Sequence, residues 1–196
     1  MLPLKNARFL KKGQLIDCMP NMELLKLGDA REFKKLFELH APRLLNTALY
    51  LLGNRQDAED VTQEVFKSIY IGLPQFKEES SVHTWMHRIT LNKCNEFLRA
   101  KNRKKRKGIL LSLFDSLPIE TTETPELMFI LKEAEWSLWK QIQSLPEKQR
   151  IAMTLYAMDD LSYKEIASIM SVSVASIESL LFRARTKLKT HQSNED

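Results

Sequence analysis

The residues with the most chemical potential in this chain are cations, and they are placed for binding rather than for bond making. Arg183, Arg185 and Lys187 close the segment Leu161–Leu188, and Arg103-Lys104-Lys105-Arg106-Lys107 forms a second basic run upstream. Guanidinium and ammonium groups at this density bind polyanions. The constellations that make or break bonds are missing: no H-E-x-x-H, no G-x-x-x-x-G-K-[ST], no G-x-S-x-G and no paired cysteine clusters. Cys18 and Cys94 share no metal-like or redox-like spacing, and Cys94 falls in a helical pattern as a small core or boundary residue. The expectation is a binding protein, not an enzyme, with no catalytic residue, metal, cofactor or small-molecule substrate.

The element that must position the first basic run is a helix-turn-helix. Ser162 and Glu165 form S-x-x-E, a capping box that starts a helix with Ile166, Ile169 and Met170 as its apolar stripe. Ser171-Val172-Ser173 breaks the pattern, and Ser173 is placed to cap a second helix. There Val174, Ile177, Leu181, Ala184 and Leu188 recur at spacings of three and four, one face of a helix. Small Ala167 sits where two crossing helices need close approach. A basic second helix held this way suits a DNA major groove.

The remaining pattern is helical throughout. Asp29–Leu52 carries two apolar stripes, with Pro42 marking a break or a new first turn between them. Gln56–Ile71 follows, with Asp57, Glu59 and Asp60 near its positive end and Ala58, Val61, Val65 and Ile69 inward. Gln75–His83 is a polar loop. Thr84 to about Lys101 is helical, with Trp85, Ile89 and Phe97 inward, and runs on into the polybasic stretch. Glu126–Ser144 forms another helix, and Pro146 opens the next. His40 has no second ligand spaced near it and is expected to be a packed or boundary histidine rather than a ligand. The predicted fold is all-α: a loose leader over 1–21, a helical domain over 22–107, a flexible acidic linker over 108–125, and a second helical domain over 126–196 containing the helix-turn-helix.

Charge follows the same division. Met22–Lys107 holds 17 basic and 11 acidic residues, and Gly108–Glu135 one basic and six acidic. Two basic surfaces joined by an acidic connector suit a polyanion held at two places. No stretch approaches the roughly 20 apolar residues of a membrane span, and no apolar core follows the basic N-terminus. A cytoplasmic location is expected.

Four segments, in order, resemble a bacterial sigma factor of the sigma-70 family, extracytoplasmic-function (ECF) subfamily. They are DAEDVTQEVF (Asp57–Phe66), FKEESSVHTWMHRITLNK (Phe76–Lys93), LPEKQR (Leu145–Arg150), and the helix-turn-helix with its FRAR tail. The resemblance implies core RNA polymerase and promoter DNA as partners, and an anti-sigma factor, in some members membrane-anchored. It implies that Asp57, Asp60, Gln63, Glu64 and Phe66 lie at or beside the polymerase contact. It implies minus-ten recognition by Ser80, Ser81, His83, Thr84, Trp85, Arg88, Asn92, Arg99 and Arg103, Trp85 being alternatively a core aromatic. Minus-thirty-five recognition would fall to Ser173, Ala175, Ser176, Ser179 and Arg183. Glu178 and Leu180 depart from the family pattern, where Lys and Arg are common. Glu178 would either accept from a cytosine amino group or face solvent.

Two other readings stand beside this one: a helix-turn-helix regulator acting on duplex DNA without polymerase, and a helical module that binds only proteins. The first leaves Asp57–Phe66 and Phe76–Asn92 without a role, and the second leaves both basic runs without one.

Overall fold

The structure, a computed structural model, describes residues 19–112, 139–159 and 161–192, the side chains of 104–112 and 190–192 excepted. Most of the expected leader, the linker from 113 onward and the helix expected over 126–138 lie outside the described residues.

Helix α1 (Met22–Lys26) starts at Asn21, whose Oδ1 accepts from the amides of Glu23 and Leu24. The Asn21 amide in turn donates to Glu32 Oε2 at 2.7 Å, tying this turn to the next helix. Helix α2 (Ala30–Leu52) is capped by Asp29 and ends at Gly53, whose φ of 74° is the left-handed conformation a helix stop needs. Neither the break nor the new first turn expected at Pro42 occurs, and the helix is continuous through it. An interior proline costs about 3 kcal/mol. Leu36 before it and Leu44 and Ala48 after it are all fully buried, so tertiary packing offsets that cost and keeps both halves helical.

Helix α3 (Arg55–Gly72), capped by Asn54, leads through a 3-10 turn (Leu73–Gln75) into the polar loop. Helix α4 (Val82–Ser112) is longer than expected, continuing past the polybasic run and through Gly108. One glycine costs a helix about 1 kcal/mol, and Ile109, Leu110 and Leu111 beyond it tolerate or favour helix. The core between α2, α3 and α4 is made by Leu36, Leu44, Ala58, Val65, Ile69, Met86 and Cys94, none of them exposed. Burial pushes the Cys94 thiol up to about 12, which removes its nucleophilic form at neutral pH.

The second half comprises a helical stretch over 139–143, then α5 (Glu147–Met158), α6 (Tyr163–Met170) and α7 (Val174–Gln192). Ile142, Leu155, Ile166, Ile177, Leu181 and Ala184 form its interior. The halves are not held apart. Helix α5 packs on α2 and α6 on α4, so the apolar interior is continuous from Leu25 to Leu188. Gln143 donates to the Tyr50 carbonyl at 2.6 Å, and Trp139 lies over Gly53.

One contact limits the entry to the polar loop. A Cβ on Gly72 would fall 2.9 Å from the Trp85 ring, which also stacks on Phe76 at 4.8 Å. Gly72→Ala is expected to lower stability by about 1–2 kcal/mol, since overpacking against a rigid ring outweighs the propensity gained at a helix end. Urea denaturation followed by circular dichroism and Trp fluorescence measures it.

Candidate nucleic-acid interface

The helix-turn-helix forms as its caps dictate. The Ser162 hydroxyl accepts from the Glu165 amide while the Glu165 carboxylate accepts from the Ser162 amide at 2.9 Å, the complete capping box. These bonds hold the Glu165 carboxyl below its ordinary range. Ser171 closes α6 in the left-handed conformation, φ 54°, and the chain turns by 102° into α7. The Ser176 amide donates to Ser173 Oγ at 3.2 Å, so Ser173 caps α7 as expected. Ala167 is buried at the crossing, where a larger side chain would wedge the helices apart.

Helix α7 buries Ile177, Leu181, Ala184 and Leu188, but Val174 is exposed rather than part of that stripe. Ser173, Ala175, Ser176 and Arg183 are exposed and Ser179 partly so. With Lys148, Val172 and Leu180, the last four of these line an open groove of about 440 Å³. Arg183 donates to Ser179 Oγ at 2.7 Å, which aims its guanidinium along that face. Glu178 is exposed on the same helix. Phe182, 71% exposed, gives no signal in the sequence because it falls between two inward positions.

The other surface lies on α4 and the loop before it. Arg88, Asn92, Arg99 and Arg103 are exposed. At 100° per residue they share an arc of about 60°, and at 1.5 Å rise they span about 22 Å of helix. That is a cationic rail along one edge, long enough to follow a nucleic-acid backbone. Lys101 is not part of it, since its ammonium pairs with Asp57 at 2.6 Å. At the N-terminal end of the rail, Met22, Phe76, Glu78, Ser80, Ser81 and Val82 line a cavity of about 320 Å³. Glu78 holds φ at 58° and pairs with Lys26 at 2.5 Å, so α1 braces the loop. Met22 belongs to a short helix not expected from the pattern; Asn21 followed by Glu23 is its only signal in the sequence. Trp85 is half-buried between Gly72 and Phe76, the core-aromatic alternative. Thr84 is buried, and its hydroxyl lies 2.8 Å from that of Ser81 and 3.3 Å from Glu165.

The acidic surface sits on a different helix, α3, and Lys101 of α4 reaches across to its Asp57. Asp60, Gln63 and Glu64 are exposed, Asp57 is half-buried, and Phe66 is buried beneath the rings of Phe33 and Phe37. Tyr70 and Phe37 are exposed beside this patch, although spacing places Phe37 in the apolar stripe of α2 with Phe33 and Leu36.

Among the described residues, no group of three or more His, Cys, Asp or Glu has the geometry of a metal site. The chain matches Sigma-70 region 2 over residues 36–104 and Sigma-70, region 4 over residues 136–188. It is 33% identical over 176 residues to the ECF RNA polymerase sigma-E factor of Haemophilus influenzae, covering 86% of this chain and 91% of that protein. This chain belongs to the ECF sigma factors. Its fold is shared with CnrH, solved in complex with the cytosolic domain of CnrY, at a TM-score of 0.68 and 20% identity over 89% of this chain and 96% of that one. It is shared too with the sigma factor RpoE of Bartonella quintana, solved with the anti-sigma factor NepR, at 0.63 and 22% over 82% and 96%. A sigma factor binds core RNA polymerase and directs promoter-specific initiation, which favours that reading over a regulator acting alone.

Ser162→Ala removes the hydroxyl that caps α6 and is expected to cost about 1 kcal/mol. Thermal denaturation of the full chain measures this, and Ser162→Asp should restore most of the loss.

Proposed function

We propose a division of labour among three surfaces of this sigma factor. Asp60, Gln63 and Glu64, backed by buried Phe66 and flanked by Asp57, Phe37 and Tyr70, dock on core RNA polymerase. An acidic, aromatic patch in a basic half repels a phosphate backbone and suits a protein partner. Ser80, Ser81, His83, Thr84 and the rail Arg88–Arg103 take the minus-ten element, with an unstacked base entering the cavity between Met22 and Val82. Trp85 backs Phe76, which lines that cavity, from behind. Ser173, Ala175, Ser176, Ser179 and Arg183 read the minus-thirty-five element from α7. Residues 22–107 and 126–196 act as the two promoter-binding units, 108–125 as their connector and 1–21 as a leader.

The observation that carries this reading is the separation of charge. The cationic rail and the exposed face of α7 lie on different helices from the acidic face of α3, so DNA and polymerase need not compete for one surface. Polymerase supplies the chemistry, and this chain works as a non-catalytic specificity factor in the cytoplasm. Among the described residues, no single helix is long and apolar enough to cross a membrane. The two structural neighbours were solved with a CnrY domain and with the anti-sigma factor NepR. On that likeness, an anti-sigma factor that covers the promoter-reading surfaces holds this chain inactive.

Run-off transcription from the promoter upstream of its own gene, with core polymerase alone and with this chain added, tests the reading. A discrete transcript only with both is expected. Tight duplex binding by the free chain with no transcript would favour the regulator that acts alone. Replacing Arg103–Lys107 by alanine should weaken open-complex formation on every promoter alike. It should also reduce the slope of log K against log salt by roughly 0.9 for each phosphate no longer neutralised. Filter binding of holoenzyme across a salt series reads this, and an unchanged slope would remove the run from the DNA path.

A further inference from the structure

Glu78 is hard to account for by folding alone. Among the described residues, two that are not glycine hold a positive φ, Glu78 at 58° and Ser171 at 54°. Ser171 closes α6, where a helix stop asks for that conformation. Glu78 sits instead in the loop between the 3-10 turn and α4. A residue with a Cβ is disfavoured there, and glycine would hold the same turn with less strain. Its side chain pairs with Lys26 of α1, Nζ lying 2.5 Å from Oε1. That pair stands in water, the Glu78 side chain being 58% exposed, and an exposed pair adds little stability to set against the strain. Strain held by a residue that folding does not require points to a use for the side chain.

The surroundings define that use. Glu78 lines the cavity of about 320 Å³ together with Met22, Phe76, Ser80, Ser81 and Val82. Met22, Phe76 and Val82 are apolar, and Phe76 is held against Trp85 with ring centres 4.8 Å apart, an aromatic wall for a base to stack on. The Ser81 hydroxyl is committed to the start of α4. Its Oγ accepts from the Thr84 amide at 3.1 Å and shares a 2.8 Å bond with the Thr84 hydroxyl. Glu78 therefore brings the charge to this cavity, while Lys26, which holds Oε1, stays outside the lining. Its second oxygen, Oε2, has no partner among the described residues.

We propose that Glu78 selects the everted base of the minus-ten element, accepting the amino bases cytosine and adenine and rejecting the keto bases thymine and guanine. The inference rests on the minus-ten reading of this cavity given above. A carboxylate only accepts hydrogen bonds. Cytosine N4 and adenine N6 offer it a donor, whereas the same corner of thymine or guanine carries a carbonyl oxygen, O4 or O6, which meets the carboxylate with like charge. A keto base would draw the carboxylate from water without giving it a partner, a penalty that falls on the wrong base alone. The Ser80 hydroxyl, able to donate or accept, tolerates either class. Glu78 thus discriminates by exclusion as much as by attraction. Lys26 positions and does not read: it holds one carboxylate oxygen so that the group is oriented before a base arrives.

Run-off transcription by holoenzyme tests this, on templates in which each minus-ten position of the promoter upstream of its own gene carries each base in turn. At one position of the non-template strand, cytosine or adenine should give about tenfold more transcript than thymine or guanine. Glu78→Gln, whose amide both donates and accepts, should reduce that ratio to about twofold or less. Glu78→Gly should lose the preference too and, relieved of a Cβ at φ 58°, raise the midpoint of thermal unfolding by about 2 °C. Lys26→Met should keep the preference. An amino-over-keto ratio unchanged in both Glu78 variants overturns the proposal. So does a loss in Lys26→Met equal to that in Glu78→Gln, because the pair would then act only by shaping the loop. Ser80→Trp, with helicity checked by circular dichroism, separates this from the underlying reading. A filled cavity should abolish transcription from every template, and full transcription by that variant would remove the cavity from the minus-ten path altogether.

Discussion

Everything in this molecule leans on α4 being buried on two sides at once. Toward α2 and α3 it contributes Met86 and Cys94, which are wholly inaccessible, to the core of the first half. Toward the second half it contributes His87 and, through the start of the helix, Thr84. Only the remaining strip stays in water, and that strip holds Arg88, Asn92, Arg99 and Arg103. A helix clamped on two sides cannot rotate, so the direction of its third side is fixed. The cations are thus held in a line by apolar packing far more than by any bond they make themselves, exposed ion pairs being worth little. Deleting volume from the core beneath α4 should therefore disturb promoter reading even where every DNA-facing side chain is intact.

The two halves use different means to make a rigid surface. In the first, long helices stack on a large common core, and the polar loop is braced from outside by α1 through Lys26 and Glu78. In the second, the short helix α6 depends on its ends. The capping box at Ser162, the left-handed Ser171 and the Ser173 cap fix where α6 stops and α7 starts. A helix as short as α6 is marginal alone, so the buried Ile166 and Ile169 supply what propensity does not. The recognition helix is accordingly only as well placed as its few caps and contacts allow.

Local chemistry made most of this legible in the amino-acid sequence. The capping box, the apolar stripe of α7 beyond Val174 and the acidic start of α3 all depend on neighbours within a few residues, and all stand where spacing puts them. What was not legible depends on residues far apart in the chain. Pro42 is a helix breaker by local rules, and the burial of Leu36 and Leu44 on either side of it keeps α2 continuous. Gly108 reads locally as a linker start, yet α4 continues through it. His40 looked like a single packed histidine because its companions, His83 and His87, belong to another helix and Asp159 to the other half. Phe66 is buried beneath Phe33 and Phe37, a placement that depends on rings from another helix.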